Sequence, residues 1–155
     1  MSPRPNPIAE RLKLLEGICR SRGVPCTVQR RTILQAVVES NNHPTADEVL
    51  EAVKGRLLGL SRTTVYRVLD ALADWGVIRR LQHAGGAARF DGKTRRHHHL
   101  VCNKCHKVID LDDPGLDRLR LPRLDTGGFA VEDFSVHLTG TCPACRRKKP
   151  ARPNA

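Results

Sequence analysis

The chain has 155 residues, a net charge of +11 from 27 basic and 16 acidic side chains, and 39% hydrophobic residues. That length holds one medium domain or two small ones with modest cores. No run of about 18 apolar residues occurs, which excludes a transmembrane helix, and the reading is of a cytoplasmic protein without a membrane partner.

Charge is unevenly placed: residues 1–96 carry 17 Lys+Arg against 9 Asp+Glu, and residues 97–145 carry 5 against 7. A tail with Arg146, Arg147, Lys148, Lys149 and Arg152 adds five more positive charges. A basic N-terminal part is the electrostatic footprint of a polyanion binder.

Residues 1–7 are Pro-rich and expected to be disordered. Ile8-Ala9, Leu12, Leu15 and Ile18 then recur at the spacing of one helical face, and Gly23-Val24-Pro25 breaks that helix. Thr27 is an N-cap for a second helix carrying Val28, Ile33, Leu34, Val37 and Val38, which Asn41-Asn42-His43-Pro44 ends. Thr45 caps a third helix, Glu48 completes its capping box, and Ala46, Val49, Val53 and Leu57 form its apolar face. Ser61 starts a fourth helix with Val65, Val68, Leu69, Leu72 and Ala73 facing inward, and Gly76 stops it.

Two strands follow, Val77–Leu81 and Ala88–Phe90, joined by the turn His83-Ala84-Gly85-Gly86. Three helices and a hairpin in that order form a winged helix-turn-helix, with the fourth helix for recognition. Arg62, Thr63, Thr64, Tyr66 and Arg67 on that helix, its leading Ser61, and Arg30 on the second helix are the candidate contacts to double-stranded DNA. Tyr66 and the threonine methyls suit thymine methyl groups, while Arg62 and Arg67 suit phosphate or guanine.

Beyond Arg96 the period changes. Leu100-Val101 and Lys107–Leu111 read as strands, Pro114 opens a helix through Leu116, Leu119 and Leu121, and Phe129–Val131 and Phe134–Leu138 supply further strand. So short a sheet leaves unpaired edges, and pairing with a second copy finishes it. The fold class is α+β: a winged-helix domain over residues 1–93, a small α/β dimerisation domain over 94–146, and a basic tail over 147–155.

Two C-x2-C pairs, Cys102/Cys105 and Cys142/Cys145, frame the second domain with 36 residues between them. Four thiolates close the coordination sphere of zinc and leave no open position, so the pattern reads as a structural Zn(II) site. The competing reading, two C-x2-C disulfides, requires strained small rings and an oxidising compartment. His97 and His99, at alternate positions of an extended segment, share a face and suit a second, exchangeable metal. A structural metal beside an exchangeable one suggests a sensor. Cys19 and Cys26 remain as helix-packing or exposed thiols, and the sequence alone gives a redox role no support.

These residues resemble the ferric uptake regulator family of metal-dependent repressors over roughly residues 20–146. The likeness rests on Thr27-x-Gln29-Arg30, His43-Pro44-Thr45-Ala46, Thr64-Val65-Tyr66-Arg67-x-Leu69, His97-x-His99-x2-Cys102-x2-Cys105 and Gly140-x-Cys142-x2-Cys145. It implies a homodimer on a two-fold symmetric operator, a four-cysteine zinc site and a regulatory metal at the junction of the domains. Within the family the chain looks most like the peroxide-responsive branch. That branch's regulatory site uses three His and two Asp, and the matching positions are His43, Asp91, His97, His99 and Asp110. Taken singly, His43 before Pro44 and Asp91 before Gly92 read as turn residues, and only their joint match makes them ligands.

Such a nitrogen and oxygen set without thiolate suits Fe(II) or Mn(II). In similar proteins peroxide acts with iron to oxidise the residues matching His43 and His97. Arg96, Phe134 and Thr141 stand where an additional metal site of the iron-responsive branch would have His. His106 replaces a Gly, Pro25 a basic residue and Thr139 a Tyr. The alternatives are an iron- or manganese-responsive repressor indifferent to peroxide and, remotely, a zinc-dependent hydrolase. The hydrolase lacks a His-Glu-x2-His motif, and the reading is of a protein that is not an enzyme.

Overall fold

The structure, a computed structural model, describes residues 6–40, 42–82, 86–119 and 126–147. It divides into two compact units, Met1–Thr94 and Arg95–Ala155.

The first unit contains α1 (Pro7–Ser21), α2 (Val28–Glu39), α3 (Ala46–Val53), α4 (Arg62–Asp74), β1 (Arg79–Leu81) and β2 (Arg89–Asp91). Each helix starts where a short polar side chain takes up an orphan N–H: Asn6 accepts from Ile8, Thr27 from Arg30, Thr45 from Glu48 and Ser61 from Thr64. At α3 the Glu48 carboxylate returns to the Thr45 N–H, 2.7 Å, so the capping box is complete. Gly76 follows α4 at φ 69°, a left-handed turn that suits glycine. Leu15, Ile33, Leu34, Val53, Leu69 and Leu72 are fully buried among the helices, each side chain contributing about 1.5–3 kcal/mol of transfer free energy.

The hairpin β1–β2 is antiparallel, pairing Arg79 with Asp91 and Leu81 with Arg89. It is shorter than expected at its start. The N–H groups of Val77 and Ile78 both donate to the Leu72 carbonyl, at 2.9 and 3.3 Å, closing the end of α4. Their side chains enter the helical core, so neither joins the ladder. The expected turn residues His83, Ala84 and Gly85 lie outside the described residues, as do residues 1–5, Asn41 and residues 148–155.

The second unit contains β3 (His98–Cys102), β4 (Val108–Leu111), α5 (Pro114–Asp117), β5 (His137–Gly140) and α6 (Pro143–Arg147). The strand order is β4-β3-β5, antiparallel for β3 and β4 and parallel for β3 and β5. Two expectations need correction. The helix opened by Pro114 ends at Asp117 instead of running through Leu119, which is 46% exposed and has no core to face, while Leu121 lies outside the described residues. Phe129–Val131 forms no strand: Phe129 is 81% exposed, and β5, on the β3 edge opposite β4, starts only at His137.

Candidate metal centres and DNA-facing helix

The parallel register sets Cys102 opposite Gly140, two residues before Cys142, and so brings the ends of β3 and β5 together. Asn103 N–H donates to the Gly140 carbonyl at 2.8 Å, and His106 N–H donates to the Cys102 carbonyl at 2.9 Å, closing the turn that carries Cys105. Cys142 precedes α6, which carries Cys145. The four sulfurs all lie within 4.8 Å of one another, and Cys105 Sγ stands 3.7 Å from Cys142 Sγ. A tetrahedron with zinc–sulfur bonds of about 2.3 Å has sulfur–sulfur edges of about 3.8 Å. The donor set and its spacing therefore fit structural zinc.

The local hydrogen bonds favour that occupancy. Cys142 N–H donates to Cys102 Sγ at 3.4 Å, and with the N–H groups of Cys105 and Lys104 this lowers the Cys102 thiol to about 6. Cys142 is likewise lowered, first by the Cys145 N–H. Cys145 is pushed up to about 12, because its thiol is hydrogen-bonded to Cys105 and Cys142. The N–H donors that lower Cys102 and Cys142 favour the thiolate form that zinc requires.

His106, in the glycine-like position noted from the sequence, has φ 57°. A side chain there crowds its own backbone, at a cost of roughly 1–2 kcal/mol. His106→Gly is expected to raise the unfolding free energy of the zinc-loaded protein by about 1 kcal/mol, measurable by denaturant titration, with zinc content unchanged.

The proposed regulatory ligands fall into two groups, one in each unit. In the first unit, Phe90 N–H donates to the Pro44 carbonyl at 2.9 Å and Arg89 donates to the His43 carbonyl at 2.9 Å. Thr45 bridges to Arg89 as well, so β2 holds the His43–Thr45 segment along its edge. The result places His43 Nε2 3.8 Å from Asp91 Oδ1, both residues buried. His43 itself has φ 49°, a conformation uncommon for a residue with a Cβ and often found at functional sites. Asp91 Oδ1 also accepts from Lys93 N–H at 2.8 Å. Gly92 packs so closely on α2 that a Cβ there would meet Val38 at 3.0 Å, which fixes the end of β2.

In the second unit, the antiparallel register pairs His99 with Asp110, so both side chains emerge on one face of the sheet. His97 stands two residues earlier on that face, its Nε2 3.4 Å from Asp110 Oδ1 and its ring centroid 4.6 Å from that of His99. His99 Nε2 lies 3.9 Å from the same oxygen. His97 Nδ1 is 2.9 Å from the Arg95 carbonyl, a contact that requires the proton on Nδ1 and turns Nε2 toward Asp110.

On α4, Arg62, Thr63, Tyr66 and Arg67 are exposed together, while Val65, Leu69 and Leu72 are buried on the opposite side. Thr64 is half-buried, and its hydroxyl lies 2.8 Å from that of Ser61. Arg62 pairs with Asp47 of α3 at 2.8 Å and lies over the Tyr66 ring at 5.5 Å. Arg30 is half-buried on α2, its guanidinium 5.1 Å over Trp75.

Residues 21–139 match the Ferric uptake regulator family. The chain belongs to that family. The "Peroxide operon regulator" of Bacillus subtilis (strain 168) is 33% identical over 141 residues, covering 91% of this chain and 97% of that protein. The solved structure of the Helicobacter pylori ferric uptake regulator Fur matches with a TM-score of 0.78 at 19% identity, covering 96% and 99% of the two chains, a likeness of fold. The Francisella tularensis ferric uptake regulator, solved with iron, matches with a TM-score of 0.67 at 26% identity, covering 80% of this chain and 96% of that one.

Two features of this family member escape the sequence. Arg89 clamps the His43 carbonyl from 46 residues away, a contact no local pattern announces. His98 points away from His97 and His99: its Nδ1 accepts from Val136 N–H at 3.1 Å and its Nε2 lies 3.3 Å from Asp117 Oδ1. Alternation along β3 predicts that orientation, but the partners come from distant segments. Arg96 and Phe134 stack at 4.8 Å, with Arg96 paired to Asp133 at 2.7 Å, so these two positions hold a cation–π contact.

Proposed function

We propose that this chain is a homodimeric, DNA-binding repressor that requires a regulatory metal and leaves its operator when peroxide oxidises the ligands of that metal. The observation that carries the reading is that each unit contributes its own His/Asp group, the buried His43 and Asp91 in one and the buried His97 and His99 with the half-buried Asp110 in the other. An ion held by both groups ties the DNA-binding unit to the sheet unit. In a dimer that tie sets the separation of the two α4 helices, and half-site spacing is what a symmetric operator reads.

Three imidazoles and two carboxylates suit Fe(II) or Mn(II). Bound iron supplies the electrons that make peroxide reactive there; His43 and His97 supply oxidisable rings whose loss of basicity loosens the clamp. The exposed Arg62, Thr63, Tyr66 and Arg67 face the major groove, with Ser61, Thr64 and Arg30 completing the contact surface. Dimer formation draws on the face of the sheet where register aligns Leu100, Ile109 and Leu138, all partly exposed. Every named residue serves regulation, and none is assigned a catalytic role.

The test is binding of the zinc-loaded protein to DNA from upstream of its own gene. With Mn(II), operator affinity is expected to exceed that of the chelator-treated protein by about 5- to 150-fold. Equal affinity with and without Mn(II) contradicts the proposal.

A further inference from the structure

We infer that Cys19 and Cys26 form a thiol–disulfide redox site within the DNA-binding unit, one that reacts with peroxide independently of the regulatory metal. Cys19 sits near the end of α1 and is only 2% exposed, whereas Cys26 is half-buried just before Thr27, the N-cap of α2. The chain reverses between them. Gly23 adopts φ 64°, Val24 N–H donates to the Cys19 carbonyl at 3.0 Å, and Cys26 neighbours Cys19 against the helical core.

The surroundings divide the roles. Cys26 neighbours the Arg31 guanidinium, which pairs with Glu16, and it stands just before the N-cap of α2. Its partial exposure admits a small oxidant. Cys19 has no such access, and burial first, then the neighbouring Cys26, pushes its thiol up. Cys26 is therefore the attacked thiol and Cys19 the resolving one.

The chemistry balances with peroxide alone. The Cys26 thiolate attacks one peroxide oxygen and the O–O bond breaks, leaving a sulfenic acid and a hydroxide that takes up a proton as the first water. Cys19 sulfur then attacks the Cys26 sulfur, the S–O bond breaks, and the departing hydroxide takes the Cys19 proton as the second water. Two thiols lose two electrons and peroxide becomes two waters.

A consequence reaches the DNA surface. Arg30 donates to the carbonyl of Pro25, the residue bonded to Cys26, and lies over Trp75, where Arg22 also lies at 5.5 Å. A disulfide that draws Cys26 toward α1 moves this carbonyl and so the Arg30 guanidinium. Trp75 is the single tryptophan of the chain, so its fluorescence reports the movement.

The experiment uses full-length, zinc-loaded protein with Mn(II), treated with hydrogen peroxide, alkylated and digested with trypsin. The expected product is the peptide 14–20 linked through Cys19 to the peptide 23–30 through Cys26, two hydrogens lighter than the sum of the free pair. Trp75 fluorescence should change with the link, return on dithiothreitol, and stay constant in Cys26→Ser. Full alkylation of both thiols after peroxide overturns the inference, as does a Cys26 oxidised without linkage to Cys19. Histidine oxidation is read in the same digest, so this site and the regulatory metal site succeed or fail separately.

Discussion

Replacing Cys142 with serine is expected to release zinc and unfold the second unit while the first retains its own transition. Among the described residues of the second unit, the buried hydrophobic side chains are Val101, Cys102 and Val108. At about 1.5–3 kcal/mol each, they fall far short of the roughly 1–2 kcal/mol per residue needed to order the backbone. A closed thiolate site contributes on the order of 10 kcal/mol to folding in small zinc domains. It also joins the two chain segments that carry β3 and β5, since Cys102 and Cys105 belong to one and Cys142 and Cys145 to the other. Metal analysis with calorimetry checks this: loss of zinc together with loss of the unit's transition is expected. A Cys142→Ser protein that keeps both would show that the sheet folds without its metal.

His99→Ala is expected to abolish the metal response while leaving the fold intact. The strand survives because the His99 N–H is bonded to the Val136 carbonyl at 3.0 Å through the backbone, which alanine preserves. What disappears is one imidazole beside Asp110 and His97. Regulatory metal affinity should fall by at least about 10- to 100-fold, the loss seen even for outer partners of ligands. Operator affinity with Mn(II) should then drop to that of the metal-free protein, by about 5- to 150-fold. Mn(II) titration and operator binding of the same preparation check the two parts, with zinc content and melting temperature unchanged. A variant that still needs Mn(II) for tight binding would remove His99 from the ligand set.

The helical unit was legible because its signals are local. Thr27, Thr45 and Ser61 each cap the helix that follows, and the apolar spacing through Val65, Leu69 and Leu72 buries the face it predicts. The zinc site was legible for a different reason: thiolate spacing encodes coordination whatever the surrounding fold. Strand boundaries were less so. Val77 and Ile78 read as β-formers, yet their N–H groups close α4 and their side chains serve the helical core. Phe129 and Val131 read as strand because they are apolar, but nothing in the sequence says that the sheet edge is taken by residues 137–140 instead. The partnership of His99 with Asp110 depends on register, and that of His43 with Asp91 on β2 pairing with a segment 46 residues earlier; neither is a property of spacing. Family likeness supplied those residues before geometry could.

The account stands most directly on the fate of two histidines. Zinc-loaded protein charged anaerobically with Fe(II), bound to its operator and given a small excess of peroxide should release the DNA. The peptides carrying His43 or His97 should then gain one oxygen, and a Mn(II)-loaded control should leave both histidines unmodified. Iron-loaded protein that keeps full operator affinity, with both histidines unmodified after peroxide, would contradict peroxide sensing and leave a reversible metal-responsive repressor.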